Sequence, residues 1–299
     1  MAVMTRHACA VVWLVLVVSA APAPALASAG LSLAKQAEID NPARYQQALR
    51  QGAQILVTPD LRSFYVIWLP DGMTPATARG MIVTLHGHSS WATDEFILWQ
   101  PYAARRGFGI IALQWWFGGG DHNSEYYAPD EMSPLIETIL RDQGVRQGTV
   151  LLHGFSRGST NTYALTAMDR AGSGFIRMTV ANAGGATVDY PPTMAVTNGA
   201  YGPAPFAGTR WVLFCGGKDP HPERDGCPAM ARTQRWLVQL GGRIQRTIED
   251  PASGHGGFHR NPVNIEAALD AFDRLLREDL PPPPPVIEAE DPIRPVRPR

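Results

Sequence analysis

Short apolar runs alternate with amphipathic helical segments over residues 53–276, and this alternation constrains the fold more than any other feature of the sequence. A continuous apolar run is typical of a strand buried on both faces, as in a parallel sheet. Helical segments between such strands predict crossover connections that pack on those faces. The sequence therefore predicts an α/β fold with a mostly parallel, eight-stranded sheet and helices on both faces.

The same pattern predicts the individual elements. Eight strands are predicted at residues 53–58, 64–69, 80–85, 109–114, 149–153, 176–182, 211–215 and 243–248. Helices are predicted at residues 91–106, 134–143, 159–170, 230–240 and 263–276, after a polar, helix-like stretch at residues 31–52. Residues 183–209 are rich in Gly, Pro and other small residues, which predicts a loop region without a developed lid domain.

Both ends of the chain differ in composition from the middle. Arg6 precedes an apolar run over residues 8–20, and A-x-A sequences follow at residues 25–27 and 27–29. These are the three parts of a secretory signal, and the run is shorter than the about 20 residues of a membrane span. We therefore expect a signal peptide at residues 1–29, one folded domain at residues 30–280, and a secreted or periplasmic location without stable membrane insertion. A run of five prolines opens residues 281–299, which predicts a disordered tail.

The charge balance of the chain bears on whether it binds nucleic acid. The 299 residues carry 26 basic and 27 acidic side chains, a net charge of -1, and no basic stripe. This balance gives no basis for binding nucleic acid. An apolar fraction of 45% is sufficient for the core of one domain of this size. The oligomeric state stays open.

The motif G-F-S-R-G at residues 154–158 lies between a predicted strand and a predicted helix. In that context G-x-S-x-G is typical of a nucleophile on a tight, strained turn. Glycines on either side let the strand and the helix approach without a Cβ clash. The motif predicts that Ser156 projects above the carboxyl edge of the sheet as a nucleophile.

With this motif the chain resembles the α/β-hydrolase superfamily over about residues 53–276. Within it, the sequence is most similar to compact, lid-poor serine esterases, including enzymes like dienelactone hydrolase and polyester depolymerases. The resemblance implies an oxyanion hole formed by two backbone amides. One follows the strand that leads into H-G-H-S at residues 86–89, and the other follows the nucleophile. This assigns the amides of His88 and Arg157, with Ser89 as an alternative to His88.

A serine nucleophile needs a base, and the base needs an acid that fixes its tautomer. The resemblance implies the chain order Ser, acid, His. Asp219 follows the strand at residues 211–215, at the position that usually carries the acid in the superfamily, with Asp189, Glu223 and Asp225 as alternatives.

Two histidines follow the last predicted strand. His255 lies between two glycines, which resembles the histidine loop of the superfamily more closely than the surroundings of His259 do. We therefore predict His255 as the base, with His259 as the alternative.

Other residues suggest a pocket, a metal site or a bridge. Trp115 and Trp116, with Tyr126 and Tyr127 nearby, are predicted to wall an apolar acyl or aromatic pocket. His122 and His221 lack a recognised ligand spacing, so no metal is predicted. In an oxidising compartment, Cys215 and Cys227 are either bridged or both buried thiols.

Together these features predict a serine hydrolase that cleaves a small or polymeric carboxylic ester through an acyl-enzyme, without a cofactor. Two alternatives stay open. A serine peptidase of the same fold has the same three residues, but often carries an extra domain for which this chain has no room. A non-catalytic binding module on a hydrolase scaffold is expected to have lost one of the three residues, whereas all three are present here.

Overall fold

A computed structural model describes residues 27–278 of the chain. The predictions of a signal peptide and of a proline-rich tail concern residues that lie outside this range, except for residues 27–29 at its start. No helix among the described residues is long and apolar enough to cross a membrane.

Eight strands form one sheet in the order β1-β2-β4-β3-β5-β6-β7-β8. Strand β2 pairs antiparallel with β1 and with β4, and all pairs from β4 to β8 are parallel. The strands are β1 Gln54–Val57, β2 Phe64–Trp68, β3 Gly80–Leu85, β4 Phe108–Leu113, β5 Val150–Phe155, β6 Ile176–Asn182, β7 Arg210–Gly216 and β8 Arg243–Asp250. The predicted mostly parallel, eight-stranded sheet is confirmed.

Helices cover both faces of this sheet. They are α1 Ala27–Asp40, α2 Pro42–Arg50, α3 Ala92–Arg106, α4 Pro129–Asp142, α5 Arg157–Ala171, α6 Pro191–Thr197, α7 Cys227–Gln239, α8 Gly257–Arg260 and α9 Pro262–Glu278. Helices α3 and α9 share one face, where Arg106 forms ion pairs with Glu266 and Asp273. On the other face α5 meets α7, since Tyr163 packs against Trp236.

Three helices differ most from the prediction, apart from the stretch at residues 31–52, which forms two helices instead of one. Helix α4 begins at Pro129 rather than at residue 134, because proline is well suited to the first helical turn, where its missing N–H has no partner to lose. Pro134 lies inside the helix instead of starting it. Helices α6 and α8 were not predicted, and with seven and four residues they are too short to show helical periodicity.

The parallel arrangement determines where the loops meet. The carboxyl ends of β3, β5, β7 and β8 all lie at the same edge of the sheet. The loops after these strands carry His88, Ser156, Asp219 and His255, respectively. Residues far apart in sequence are thus brought to one place, which is where open α/β sheets usually bind ligands.

Candidate active site

Ser156 occupies the turn between β5 and α5 in a strained backbone conformation. Its φ of 54° and ψ of -116° are unfavourable for a residue with a side chain. The neighbouring glycines allow the turn, as predicted. A Cβ on Gly154 would overlap the backbone of Gly158, and one on Gly158 would lie 2.6 Å from the carbonyl oxygen of Leu85. Gly184, which the sequence did not single out, also packs against the backbone of Ser156.

The predicted nucleophile, base and acid lie in one hydrogen-bonded line. The Oγ of Ser156 is 2.8 Å from Nε2 of His255. The Nδ1 of His255 is 2.8 Å from Oδ2 of Asp219. A carboxylate only accepts, so Nδ1 carries the proton and Nε2 is free to accept from the serine hydroxyl. The second oxygen of Asp219 accepts the backbone N–H of His221 at 2.9 Å.

The alternative acids occupy other positions. Asp225 lies beside the pair, with its ligand atom within 4.8 Å of those of Asp219 and His255. Its Oδ2, however, accepts from Arg224 at 2.8 Å. Glu223 pairs with Arg232. Neither of these carboxylates, nor that of Asp189, hydrogen-bonds to His255 in the described part of the chain.

The alternative base, His259, does not reach Ser156. Its side chain is 6% exposed and its ring packs edge-on against Trp99, His153 and Phe155. Burial lowers the pKa of His259 to about 3. The structure therefore places this histidine beneath the site, as part of a buried cluster.

That buried cluster consists of Glu95, His153 and His259. Burial raises the pKa of Glu95 to about 8 and holds the pKa of His153 well below its usual range. At neutral pH all three groups are therefore uncharged. The sequence did not single out Glu95, which lies on the buried side of α3.

The ligand atoms of the cluster lie within 4.8 Å of one another, a spacing compatible with a shared metal ion. The hydrogen bonds argue against that use. Nδ1 of His153 accepts the indole N–H of Trp99 at 3.3 Å, and the hydroxyl of Thr84 lies 2.8 Å from the same atom. An indole nitrogen is only a donor, so a cation at this position would meet a positively polarised hydrogen. The donors around His153 therefore fit a neutral imidazole better than a metal ligand, while the buried Nε2 of His259 has no hydrogen-bond partner among the described residues.

The loop after β3 passes close to Ser156. A Cβ on Gly87 would lie 3.6 Å from the Cβ of Ser156. The amide of Ser89, the alternative oxyanion donor, is occupied because it donates to the hydroxyl of Tyr126 at 3.1 Å. Arg157 is the first residue of α5, where an amide has no acceptor within the helix. The amides of His88 and Arg157 therefore stay the predicted oxyanion donors, and Ser89 is the less suitable alternative.

A cleft of ≈ 550 Å³ opens at Ser156 and His255. Its other lining residues are His88, Arg157, Thr160, Thr187, Pro220, His221, Arg224 and Asp225. Neither predicted pocket tryptophan is among them. Trp115 lies in the wall of a neighbouring cavity of ≈ 410 Å³. Trp116 packs against Trp91 and lines neither cavity, so its prediction as a pocket residue is corrected.

The two cysteines are bridged. The disulfide joins Cys215 at the end of β7 to Cys227 at the start of α7, with their Cα atoms 5.0 Å apart. The enclosed loop carries Asp219. Closing a loop of this length stabilises a fold by about 3 kcal/mol in the chain-entropy picture. The bridge therefore limits the movement of the loop that presents the carboxylate to His255.

Comparison with known proteins supports the fold. No protein-family model matches the chain, and no curated protein is significantly similar to it. Among solved structures, TT1662 from Thermus thermophilus is 19% identical, with a TM-score of 0.54 over 75% of this chain and 97% of that one. Esterase 2 from Thermogutta terrifontis, phosphoramylated by tabun, is 19% identical, with a TM-score of 0.55 over 76% of this chain and 94% of that one. These likenesses and the strand order show that the chain has the α/β-hydrolase fold.

Proposed function

We propose that this protein is a serine hydrolase that cleaves carboxylic esters, with Ser156, His255 and Asp219 as its catalytic triad. The observation that carries this proposal is the continuous line from the Ser156 hydroxyl through both nitrogens of His255 to the Asp219 carboxylate, at 2.8 Å for each contact. The strained turn at Ser156 supports it, because residues with strained backbone conformations cluster at active sites.

In the proposed reaction, Nε2 of His255 takes the hydroxyl proton while Oγ of Ser156 attacks the ester carbonyl carbon. The amides of His88 and Arg157 donate to the oxyanion, and Asp219 stabilises the imidazolium. His255 then gives the proton to the leaving alkoxide, which departs as an alcohol and leaves an acyl-serine. Water, deprotonated by the same nitrogen, attacks the acyl-serine and releases the acid together with free Ser156.

The preference for esters draws on the relatives by fold. Esterase 2 of Thermogutta terrifontis has been solved phosphorylated by paraoxon and bound to butyrate. The hydrolase activity itself is inferred from the site of this chain, since fold alone does not determine function, and only the choice of esters as substrates draws on these relatives. The A-x-A sequences near residue 29 and the disulfide together favour export to an oxidising compartment.

We expect a fluorophosphonate probe to label Ser156 covalently, because only an activated serine attacks the phosphorus centre. Intact mass and peptide mapping of the labelled protein measure this. The Ser156→Ala variant should not be labelled, whereas Ser124→Ala, which removes an exposed serine away from the cleft, should be labelled like the wild type.

Turnover distinguishes an esterase from a peptidase. A series of p-nitrophenyl esters of rising acyl length, run beside a peptide p-nitroanilide, should show release from esters only. Labelling that persists in Ser156→Ala would contradict the assignment of the nucleophile. Release from the anilide alone would contradict the proposal of an esterase.

A further inference from the structure

The side chain of Arg157 connects the catalytic cleft with two neighbouring spaces. It lines the cleft at Ser156, an adjoining groove of ≈ 390 Å³, and the cavity that contains Trp115. A substrate group that extends from Ser156 towards that cavity therefore passes this guanidinium.

The guanidinium is fixed in position before any ligand binds. Its Nη1 donates to Nδ1 of His88 at 3.2 Å and to the backbone oxygen of Asp121 at 3.3 Å, and its Nη2 donates to Oδ1 of Asn123. Its Cζ lies 3.9 Å from the ring centroid of Tyr126, a cation–π contact. A planar donor group held in this way loses little freedom when it binds.

Its positive charge has no carboxylate partner in the described part of the chain. The three acceptors are an imidazole nitrogen, a backbone carbonyl oxygen and a side-chain amide oxygen, and none of them belongs to a carboxylate. The carboxylate of Asp121 instead lies 3.0 Å from Nε2 of His88. The other arginine of the cleft, Arg224, differs in this respect, because it forms an ion pair with Asp225 at 2.8 Å.

Arg157 also has N–H groups that are not used in these hydrogen bonds. A guanidinium has five N–H groups, and three are used in these bonds. The Nε–H and one Nη2–H have no acceptor among the described residues. Two N–H groups of one guanidinium match the two oxygens of a carboxylate, which is why arginine binds that group so often.

The cavity beyond Arg157 is walled by aromatic rings. Trp115, Tyr126, Tyr190 and Tyr201 line it together with three prolines, and one carboxylate, that of Asp130, is also among the lining residues. The hydroxyl of Tyr126 is held by the amide of Ser89, and that of Tyr190 donates to an asparagine at 2.7 Å. Trp115 and Tyr126 are almost fully buried, so the half-buried rings of Tyr190 and Tyr201 supply most of the aromatic surface that a ligand meets. Such surface suits an aryl group.

We propose that Arg157 binds a carboxylate of the substrate, so that the preferred substrates are esters bearing a free carboxylate, with aryl acids as the favoured acyl group. This inference rests on the proposed function. It assigns to the side chain of Arg157 a role in specificity that is separate from the oxyanion role of its backbone amide.

Matched pairs of esters test it. Ethyl 4-carboxybenzoate and ethyl 4-carbamoylbenzoate have nearly the same shape and differ in charge, as do their 3-substituted isomers. In the wild type, kcat/KM should be about 10- to 100-fold higher for the carboxy ester of at least one pair, as expected for hydrogen bonds to a charged group. Release of ethanol, or of the acid by chromatography, measures each rate.

The ratio within each variant is the readout, because any change in the oxyanion hole affects both esters. Arg157→Gln should bring the ratio close to one, and Arg157→Lys, which keeps the charge without the planar fork, should retain part of it. Arg235→Gln removes an equal charge from an exposed position on α7, and should leave the ratio unchanged. Circular dichroism confirms that each variant is folded.

A ratio near one for both wild-type pairs, or a high ratio that persists in Arg157→Gln, would overturn this inference. If the wild type is labelled at Ser156 by the fluorophosphonate in those cases, the proposed function still stands. A wild type that is neither labelled nor active on any of the four esters would overturn both.

Discussion

Replacing His255 with alanine is expected to reduce ester turnover by roughly five to six orders of magnitude, the scale of losing a triad base. Nε2 lies 2.8 Å from Oγ of Ser156, and without it no other side chain among residues 27–278 hydrogen-bonds to that hydroxyl and could take up its proton. The value of kcat/KM on p-nitrophenyl butyrate measures the loss. Labelling by the fluorophosphonate should slow in parallel, because it depends on the same activation.

His259→Gln is the matched control, since it changes the other histidine of the same segment. It removes a buried imidazole that does not touch Ser156, so the folded protein should keep at least about a tenth of wild-type turnover. The melting temperature is expected to fall, because the ring packs between aromatic neighbours. Loss of turnover in this variant, with activity retained in His255→Ala, would reverse the assignment of the base.

Asp219→Asn should lower turnover by about 10⁴-fold while the fold stays intact. The carboxylate accepts from Nδ1 of His255 and from the amide of His221. An asparagine keeps the shape but offers an NH₂ group, which favours the imidazole tautomer with its proton on Nε2. That tautomer cannot accept the serine proton. Steady-state kinetics with a thermal melt separates this effect from unfolding.

Asp225→Asn tests the neighbouring carboxylate in the same way. Its Oδ2 accepts from Arg224 rather than from His255, so its loss should change turnover by no more than about tenfold. A larger loss in Asp225→Asn than in Asp219→Asn would make Asp225 the acid.

The sequence predicted the elements that carry the site because each of them depends on local constraints. The turn at Ser156 requires glycines whose Cβ atoms would overlap the backbone. The acid and base follow strands whose apolar runs are continuous, and parallel pairing brings their ends together. The turn and the strands are thus recognised from local sequence patterns, and only the parallel pairing of the strands is a long-range inference.

The features that the sequence did not predict depend on contacts between distant segments. Whether Trp115 or Trp116 faces a cavity is decided by packing against α3 and the loop at Tyr126. The buried position of Glu95 depends on contacts with two distant residues. These are His153 of β5, 58 positions along the chain, and His259 of α8, 164 positions along it. The bridge between Cys215 and Cys227 required the distance between two elements to be known.

Because the cluster beneath the site is neutral in the folded protein, the free energy of unfolding falls both when the pH rises and when it falls. Glu95 has a pKa of about 8 in the fold and 4.5 ordinarily, so its contribution to stability falls as pH rises from 4.5 to 8. His259 has a pKa of about 3 instead of 6.5, and with His153 it loses stability as pH falls below 6.5. The combined contribution of the three groups is therefore greatest near pH 6.5, and Glu95→Gln should flatten the alkaline side of a plot of melting temperature against pH. The pH range over which this protein stays folded is therefore limited by the ionisable groups of its own core, independently of the groups proposed for catalysis.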